Sequence, residues 1–146
     1  MAANTVGAGY YLAQHYIPAL ENFTPKYQYV PAAWIGAPRL STTWIDDYNS
    51  STYWVGVNVH NLLPESARES WPAWLGVAFG YGVDIDDARR ARRYIVALDY
   101  DLTRILPEGG HLWNWFRQTL NYIKLPAPAI EFSPSPKFVL LFPWKI

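Results

Sequence analysis

The chain of 146 residues contains no cysteine. Such a chain forms no disulfide, has no thiol nucleophile and ligates no metal through sulfur. It also lacks a run of about 18 apolar residues, the length that predicts a membrane-spanning helix. Its first residues lack the basic segment and the apolar stretch of a signal peptide. If the protein is exported, its export signal is expected to lie outside this sequence, and we interpret the chain as a fragment of a longer protein.

The charge of the chain is balanced, with 12 basic and 12 acidic side chains. Nucleic-acid binders normally carry a basic excess, so this balance argues against nucleic acid as a partner. Aromatic residues make up 17% of the chain and include eight tryptophans and eleven tyrosines. Trp and Tyr join an apolar ring to a polar tip, so they collect where protein meets lipid, sugar or another protein. Two alternatives stay open at this point: an interfacial protein, and an ordinary domain with many buried tryptophans.

Local patterns predict one domain in three parts. Residues 1–24 carry apolar side chains at three- and four-residue spacing, which predicts a helix interrupted at Pro18. Residues 25–51 are rich in proline and turn-forming residues and are interpreted as a connection with one short extended piece. Residues 52–146 are predicted as an antiparallel β region with an inserted helix at 111–124. The expected fold class is α+β: an antiparallel sheet or partial barrel of four to six strands, with an N-terminal helix and one inserted helix.

Large apolar side chains alternate with small or charged ones along several segments of the β region. Between residues 75 and 83, for example, every second position is glycine or alanine. Large apolar residues on one face with small or polar ones opposite are typical of sheets that face membrane lipid. The predicted membrane-facing residues are Leu75, Val77, Phe79, Tyr81, Tyr94, Val96, Leu98, Tyr100, Leu102, Phe138, Leu140, Phe142 and Trp144. The alternative is a soluble or peripheral sheet covered by helices, because any antiparallel sheet with one wet face also alternates.

Titratable residues do not form a recognisable metal or cofactor motif, and no metal or cofactor is predicted. The three histidines fall on different predicted elements without the spacing of a metal-binding helix. The acidic segment at 84–87 offers carboxylates to calcium but lacks the spacing of an EF-hand, so a solvated loop is favoured. The arginines after it offer contacts to the phosphates of lipid headgroups, with pairing to the neighbouring acids as the alternative. These arginines are Arg89, Arg90, Arg92 and Arg93.

A weak ligand-binding site is predicted at the end of one strand. Asp99, Asp101 and Thr103 share the polar parity of this strand, and Arg104 follows them. Two carboxylates can support acid–base chemistry, but the sequence shows neither a partner nucleophile nor a pocket. The ligand-binding candidates are therefore Asp99, Asp101 and Arg104, and no catalytic residue is predicted. We expect a protein without enzymatic activity; the alternative is a binder or an enzyme that acts on envelope lipid or glycan.

Several stretches of the chain resemble one family. They are Ala-Ala-Asn-Thr-Val-Gly at 2–7, Asp-Tyr-Asn-Ser-Ser-Thr-Tyr-Trp at 47–54, Trp-Leu-Gly-Val-Ala-Phe-Gly-Tyr-Gly at 74–82, Asp-Tyr-Asp-Leu-Thr-Arg-Ile at 99–105, and residues 116–131. Their arrangement resembles the C-terminal half of the YfiM-like family of uncharacterised periplasmic or outer-membrane lipoproteins, in the long form of Bacteroidetes-type bacteria. The resemblance spans nearly the whole chain. The family's helical N-terminal half, with an Asp-Lys-x-x-His element, is absent from this sequence, and the acidic segment at 84–87 departs from the family pattern.

The resemblance implies a location in the cell envelope, with the membrane anchor or export signal upstream of this chain. It implies no activity, because the family has no established one. The expected function is therefore a structural or interaction role at the outer membrane or in the periplasm. The expected partner is membrane lipid or an envelope protein, and the sequence leaves the oligomeric state open.

Overall fold

A computed structural model describes residues 2–35, 46–86, 89–133 and 135–144 of the chain. In this part of the chain the helices are α1 (Ala2–Tyr16), α2 (Val59–Leu62), α3 (Glu65–Arg68), α4 (Leu102–Ile105) and α5 (His111–Leu120). The strands are β1 (Phe23–Tyr29), β2 (Ser51–Val57), β3 (Leu75–Asp86), β4 (Arg89–Tyr100), β5 (Ala127–Glu131) and β6 (Lys137–Phe142). Short 3-10 turns cover Pro18–Asn22, Ala32–Ile35 and Tyr48–Ser50.

The six strands form one open antiparallel sheet in the order β1-β2-β3-β4-β5-β6. Each strand therefore pairs with its neighbours in sequence, and β1 and β6 are the two edges. The N-terminal helix α1 precedes the sheet, and α5 is inserted between β4 and β5. The α+β class, the N-terminal helix, the inserted helix and the upper end of the expected strand number are confirmed.

The first strand is longer than the short extended piece predicted within the connection at residues 25–51. Helix α1 ends at Tyr16, and Pro18 opens a 3-10 turn, as its missing N–H predicts. Strand β1 then begins at Phe23 and includes Pro25. A proline is tolerated there because β1 is an edge strand. Residues 36–45 of the predicted connection lie outside the described residues.

Two strand ends also differ from the prediction. Strand β4 ends at Tyr100, so Leu102 is not a strand residue but the first residue of α4. The pairing of β5 with β6 shifts in register between Ala127 and Ala129, which changes the alternation along β6. Phe142 consequently lies in the core at 2% exposure and not on the membrane-facing side as predicted. Trp144 follows the end of β6 and extends no strand.

The sheet curls so strongly that strands distant in the sheet touch through their side chains. Lys26 of β1 lies 2.9 Å from Asp99 of β4, although these strands are three places apart. In a flat sheet the two strands would be about 14 Å apart, too far for these side chains to meet. The rings of Trp54 on β2 and Phe142 on β6 are likewise 5.7 Å apart. The side of the sheet that faces into this curl is called the inner face below.

Small residues make the tight curl of the inner face possible. The core cluster combines three large side chains, Trp54, Ile95 and Phe142, with small or β-branched ones: Ala78, Ala97, Ala129 and Val139. The indole of Trp54 lies directly over Gly80 on the neighbouring strand. A Cβ at Gly80 would lie 2.7 Å from the ring, which is closer than atoms can pack. The glycine therefore fixes where Trp54 sits in the core.

We expect Gly80→Ala to lower the free energy of unfolding by about 1–3 kcal/mol, because Trp54 must leave its packed position. Gly82→Ala is the matched control, since its Cβ would meet only ordinary contacts at 3.5 Å. That variant should keep its stability or gain slightly. Urea unfolding followed by tryptophan fluorescence measures both, and equal destabilisation of the two variants would contradict the packing described for Trp54.

Candidate functional site

The side of the sheet that faces away from the curl carries large apolar side chains and is called the outer face. Its residues are Phe23, Pro25, Tyr27, Tyr53, Val55, Val57, Leu75, Val77, Phe79, Tyr81, Val83, Tyr94, Val96, Leu98, Tyr100, Ile130 and Phe138. Many of them are exposed to a degree unusual for large apolar residues, with Phe79 at 55% and Phe138 at 67%. Phe79 at the centre of this face is exposed, and none of the described helices covers it there.

Four tyrosines cross the outer face in one line. The strand registers place Tyr27 beside Tyr53, Tyr53 beside Tyr81, and Tyr81 beside Tyr94. Ring centroids are 5.5 Å apart in the first of these pairs and 5.8 Å apart in the last. Burial, and then the neighbouring Tyr27, raise the pKa of Tyr53. These four residues are called the tyrosine row.

An apolar band lies on one side of the tyrosine row. Its first line runs through Pro25, Val55, Phe79, Val96, Ile130 and Phe138, and its second through Phe23, Val57, Val77 and Leu98. Trp74 and Tyr100 lie at the far margin of the band, with their ring centroids 6.2 Å apart. From the tyrosine row to this margin the band is about 20 Å long along the strands. Aromatic side chains thus border an apolar band on both sides.

Helix α1 borders this face at its β1 end. A wide groove of about 730 Å³ runs between the helix and the sheet, lined by Tyr10, Tyr11, Leu20, Phe23, Pro25, Val55 and neighbouring residues. The hydroxyl of Tyr10 donates to the carbonyl oxygens of Leu20 and Phe23, which fastens the helix to the start of β1. The groove is therefore an apolar extension of the outer face.

The inner face, by contrast, buries a cluster of three charges. Asp99 lies 2.9 Å from the Nζ atom of Lys26 and 3.8 Å from that of Lys124. Lys26 also donates to the Tyr100 carbonyl, and Lys124 donates to the carbonyls of Leu98 and Leu125. Burial lowers the pKa of Lys124 to about 8, with Asp99 acting in the opposite direction and Lys26 adding to the decrease. This arrangement is called the lysine–aspartate cluster.

A second buried ion group lies further along the inner face. Arg93 donates to both carboxylate oxygens of Glu131, and Lys137 lies 2.9 Å from the same carboxylate. Burial by itself raises the pKa of Glu131, but the hydrogen bonds and charges of Arg93 and Lys137 outweigh it, so the pKa lies below its ordinary value. The guanidinium of Arg93 also lies over the ring of Phe142, at 5.3 Å from its centre. Arg93 and Glu131 are therefore paired inside the protein, while Lys137 joins them from the exposed edge strand β6.

Of the predicted ligand-binding residues, Asp99 and Asp101 line one small cavity, and Arg104 is not part of its lining. Asp99 is occupied by two lysines, whereas Asp101 lies past the strand end and caps α4 by accepting the Thr103 N–H. Arg104 pairs with Asp101 at 3.3 Å and does not approach Asp99. The cavity beside Asp99 and Asp101 measures about 50 Å³, which holds a few water molecules but no sugar ring or acyl chain. The predicted shared polar face at 99–103 is wrong, because the chain turns into α4 after Tyr100.

The remaining titratable residues do not assemble into a metal site. Within the described ranges, no three His, Cys, Asp or Glu side chains lie close enough together to hold an ion. Asp84 is exposed on β3, while Asp87 lies outside the described residues. Across the same part of the chain, no helix has the length and apolar character needed to cross a bilayer.

Sequence reasoning missed the partners of Asp99 and Arg93. Lys26 lies in a segment that was interpreted as a connection, so no strand position was assigned to it. Lys124 lies in an irregular segment after α5. Glu131 carried a usable signal, because it is the lone charge in the apolar stretch of β5 and shares parity with the small residues Ala127 and Ala129. Parity could have placed Glu131 on the inner face, but its pairing with Arg93 required the register between β4 and β5.

Comparison with protein-family models finds no matching family, and neither the curated proteins nor the solved structures give a match. The resemblance to the YfiM-like family therefore stays a prediction. Conclusions about function rest on the geometry of the two faces of the sheet.

We expect Asp99→Asn to lower the free energy of unfolding by about 3–5 kcal/mol, because two buried ammonium groups lose their counter-charge. Asp84→Asn, an exposed acid on β3, is the matched control and should change stability by less than about 0.5 kcal/mol. Urea denaturation at neutral pH measures both. A loss at Asp99 no larger than that at Asp84 would contradict the central role of the lysine–aspartate cluster.

The lowered pKa of Lys124 predicts an unusual dependence of stability on pH. Between pH 8 and the ordinary lysine value of 10.5, the unfolded chain binds a proton that the folded chain has released. The free energy of unfolding should therefore rise with pH over this range, by about 2 kcal/mol between pH 8 and 10. Lys124→Met should remove this rise, which denaturation at a series of pH values measures. An identical slope in the variant would contradict the assignment to Lys124.

Proposed function

We propose that this chain belongs to a cell-envelope protein that sets the outer face of its sheet in membrane lipid and has a structural or interaction role. The observation that carries the proposal is the inverted polarity of the sheet. The large apolar side chains are exposed on the outer face, whereas the ion pairs Lys26–Asp99 and Arg93–Glu131 are buried on the inner face. Water favours the opposite arrangement, because it solvates charges and expels apolar surface.

The size of the exposed apolar surface supports a permanent partner for the outer face. The band is continuous across all six strands, from Pro25 on β1 to Phe138 on β6. Folded proteins in water rarely leave a continuous apolar patch of this kind uncovered. Lipid chains cover such a surface at no cost in hydrogen bonds, because the exposed side chains of the band have no polar atoms.

The layering of the outer face favours lipid over a protein partner. Along the strands the centre has side chains without polar atoms, and the margins carry Tyr and Trp, with the tyrosine row on one side and Trp74 and Tyr100 on the other. Tyr and Trp prefer the level where hydrocarbon meets headgroups, because the bilayer is layered. A protein partner is not layered in this way and does not sort side chains by depth. At about 20 Å along the strands, the band is shorter than the roughly 30 Å hydrocarbon core of a bilayer. The proposal is therefore lipid contact over part of the bilayer thickness.

Lipid contact also imposes a condition on the sheet edges, because hydrocarbon offers no hydrogen bonds to an unpaired strand. At β1 the condition is met in part: Tyr27 donates its N–H to the Tyr122 carbonyl and accepts from the Lys124 N–H. Strand β6 is the other edge of the described sheet. The proposal therefore includes a further strand beside β6, from an envelope protein or from another part of the same protein.

The YfiM-like resemblance supports the same location. Members of such a family would sit at the outer membrane or in the periplasm, where a lipid-facing sheet has its place. The alternative function, a binder or enzyme that uses Asp99 and Asp101, is disfavoured by the geometry. Both carboxylates are engaged in the fold, and the cavity between them is too small for a lipid or glycan.

The test replaces Phe79, in the centre of the apolar band, by lysine. A lysine there should weaken binding to phosphatidylcholine vesicles roughly 30-fold or more, because a charge facing hydrocarbon costs about 2–4 kcal/mol. Leu112→Lys is the matched control: Leu112 is 79% exposed on α5, away from the sheet, and should leave binding unchanged. Flotation of the purified chain with vesicles on a density gradient measures the bound fraction.

Other occupants of the outer face give different results. If a second copy covers the face, the chain is a stable dimer without vesicles, and sedimentation of Phe79→Lys shows a monomer. If the parent protein washes off membranes with carbonate and the chain does not float with vesicles, the lipid proposal is wrong.

A further inference from the structure

Two arginines extend the outer face beyond the tyrosine row. Along β4 the outward positions continue from Tyr94 to Arg92 and Arg90, whose partners on β3 are Val83 and Ile85. Successive outward positions are about 7 Å apart, so Arg92 lies one step and Arg90 two steps past the row. Both arginines belong to the outer face by register, and Arg90 and Arg92 are exposed.

Three other arginines of the sheet and its helices are held in ion pairs. Arg93 is paired with Glu131, Arg104 with Asp101, and Arg117 with Glu108. Among the described residues, Arg90 and Arg92 have no ion pair, and their cross-strand neighbours are apolar. The next residue on β3, Asp84, has the opposite parity and belongs to the inner face. Within the part of the chain that the structure describes, the outer face therefore ends in two positive charges that have no ion pair.

Guanidinium groups bind phosphate oxygens through paired, charge-assisted hydrogen bonds. We propose that Arg90 and Arg92 bind the phosphates of anionic lipid headgroups at the β3–β4 end of the outer face. This inference rests on the proposed lipid contact and adds to it the class of lipid and the orientation of the sheet. The β3–β4 end then lies at the headgroups of an anionic leaflet, and the band with Phe79 lies deeper.

The position of the tyrosine row commits the proposal to lipid phosphate and not to a free phosphate ion. Tyrosine sits at the level of the headgroups, and the arginines lie about 7 and 14 Å further out along the strand. An arginine side chain spans this step, so both guanidinium groups can reach the phosphate layer while the tyrosines stay at its boundary. The balanced charge of the whole chain supplies no general attraction to an anionic surface, so a preference for anionic lipid must come from a local patch.

The experiment compares flotation with vesicles of phosphatidylcholine alone and with vesicles containing phosphatidylglycerol, for the full chain. The unaltered chain should bind the anionic vesicles more tightly than the neutral ones. The ratio of the two affinities is called the excess, and added salt should reduce it. Arg90→Gln and Arg92→Gln should each reduce the excess roughly 5-fold, and the double variant roughly 30-fold. Arg104→Gln removes one charge at the opposite end of the sheet and is the matched control, which should keep the excess.

Each outcome separates this inference from the proposed function. Equal binding to both vesicle types, unchanged by the double variant, overturns the headgroup site and leaves the lipid contact standing. Absence of binding to either vesicle type overturns both. Added inorganic phosphate could abolish the tighter binding to anionic vesicles where chloride at the same ionic strength does not. This result would assign the arginines to free phosphate and overturn the lipid site. Loss of the excess in Arg104→Gln as well would show a general charge effect and contradict the local patch.

Discussion

The contact of Asp99 with Lys26 and Lys124 holds the curl on which the rest of the structure depends. It joins β1, β4 and the segment ahead of β5, which a flat sheet would keep far apart. Burying these charges is costly, and only their mutual attraction and the surrounding carbonyl acceptors offset the loss of water. Removing Asp99 leaves two buried ammonium groups without their counter-charge, so the three groups favour one arrangement of the strands.

Once the curl is set, the two faces of the sheet have different requirements. The inner face is crowded, so it accommodates glycine and alanine with a few large side chains such as Trp54 and Phe142. The outer face is spread by the same curvature and has room for large residues. Because the charges are taken up inside, the outer face can be apolar from edge to edge. The inverted polarity that supports the lipid proposal is thus a consequence of the ion pairs in the core.

A lipid-facing surface and a headgroup site would together orient this protein without any helix. The apolar band would lie in the hydrocarbon, and the tyrosine row would lie at its boundary with the headgroups. Arg90 and Arg92 would select the anionic leaflet. In the proposed function such a sheet would serve as an anchor or as an interaction surface, and neither role requires a catalytic pocket. The buried carboxylates are consistent with this division, because they hold strands together and face no substrate-sized space.

The sequence by itself determined the fold class, the alternation of β3 and β4, and the outward direction of residues such as Phe79 and Tyr94, because side-chain parity in a strand is a local property. It did not determine the extent of β1, because a segment that contains prolines indicates a connection. It also did not determine the parity of Phe142, which a register shift between β5 and β6 reverses. The tertiary structure alone decided the tyrosine row and the partners of Asp99. Both depend on strand register and curl, and these arise from contacts between residues far apart in the chain, which no local pattern encodes.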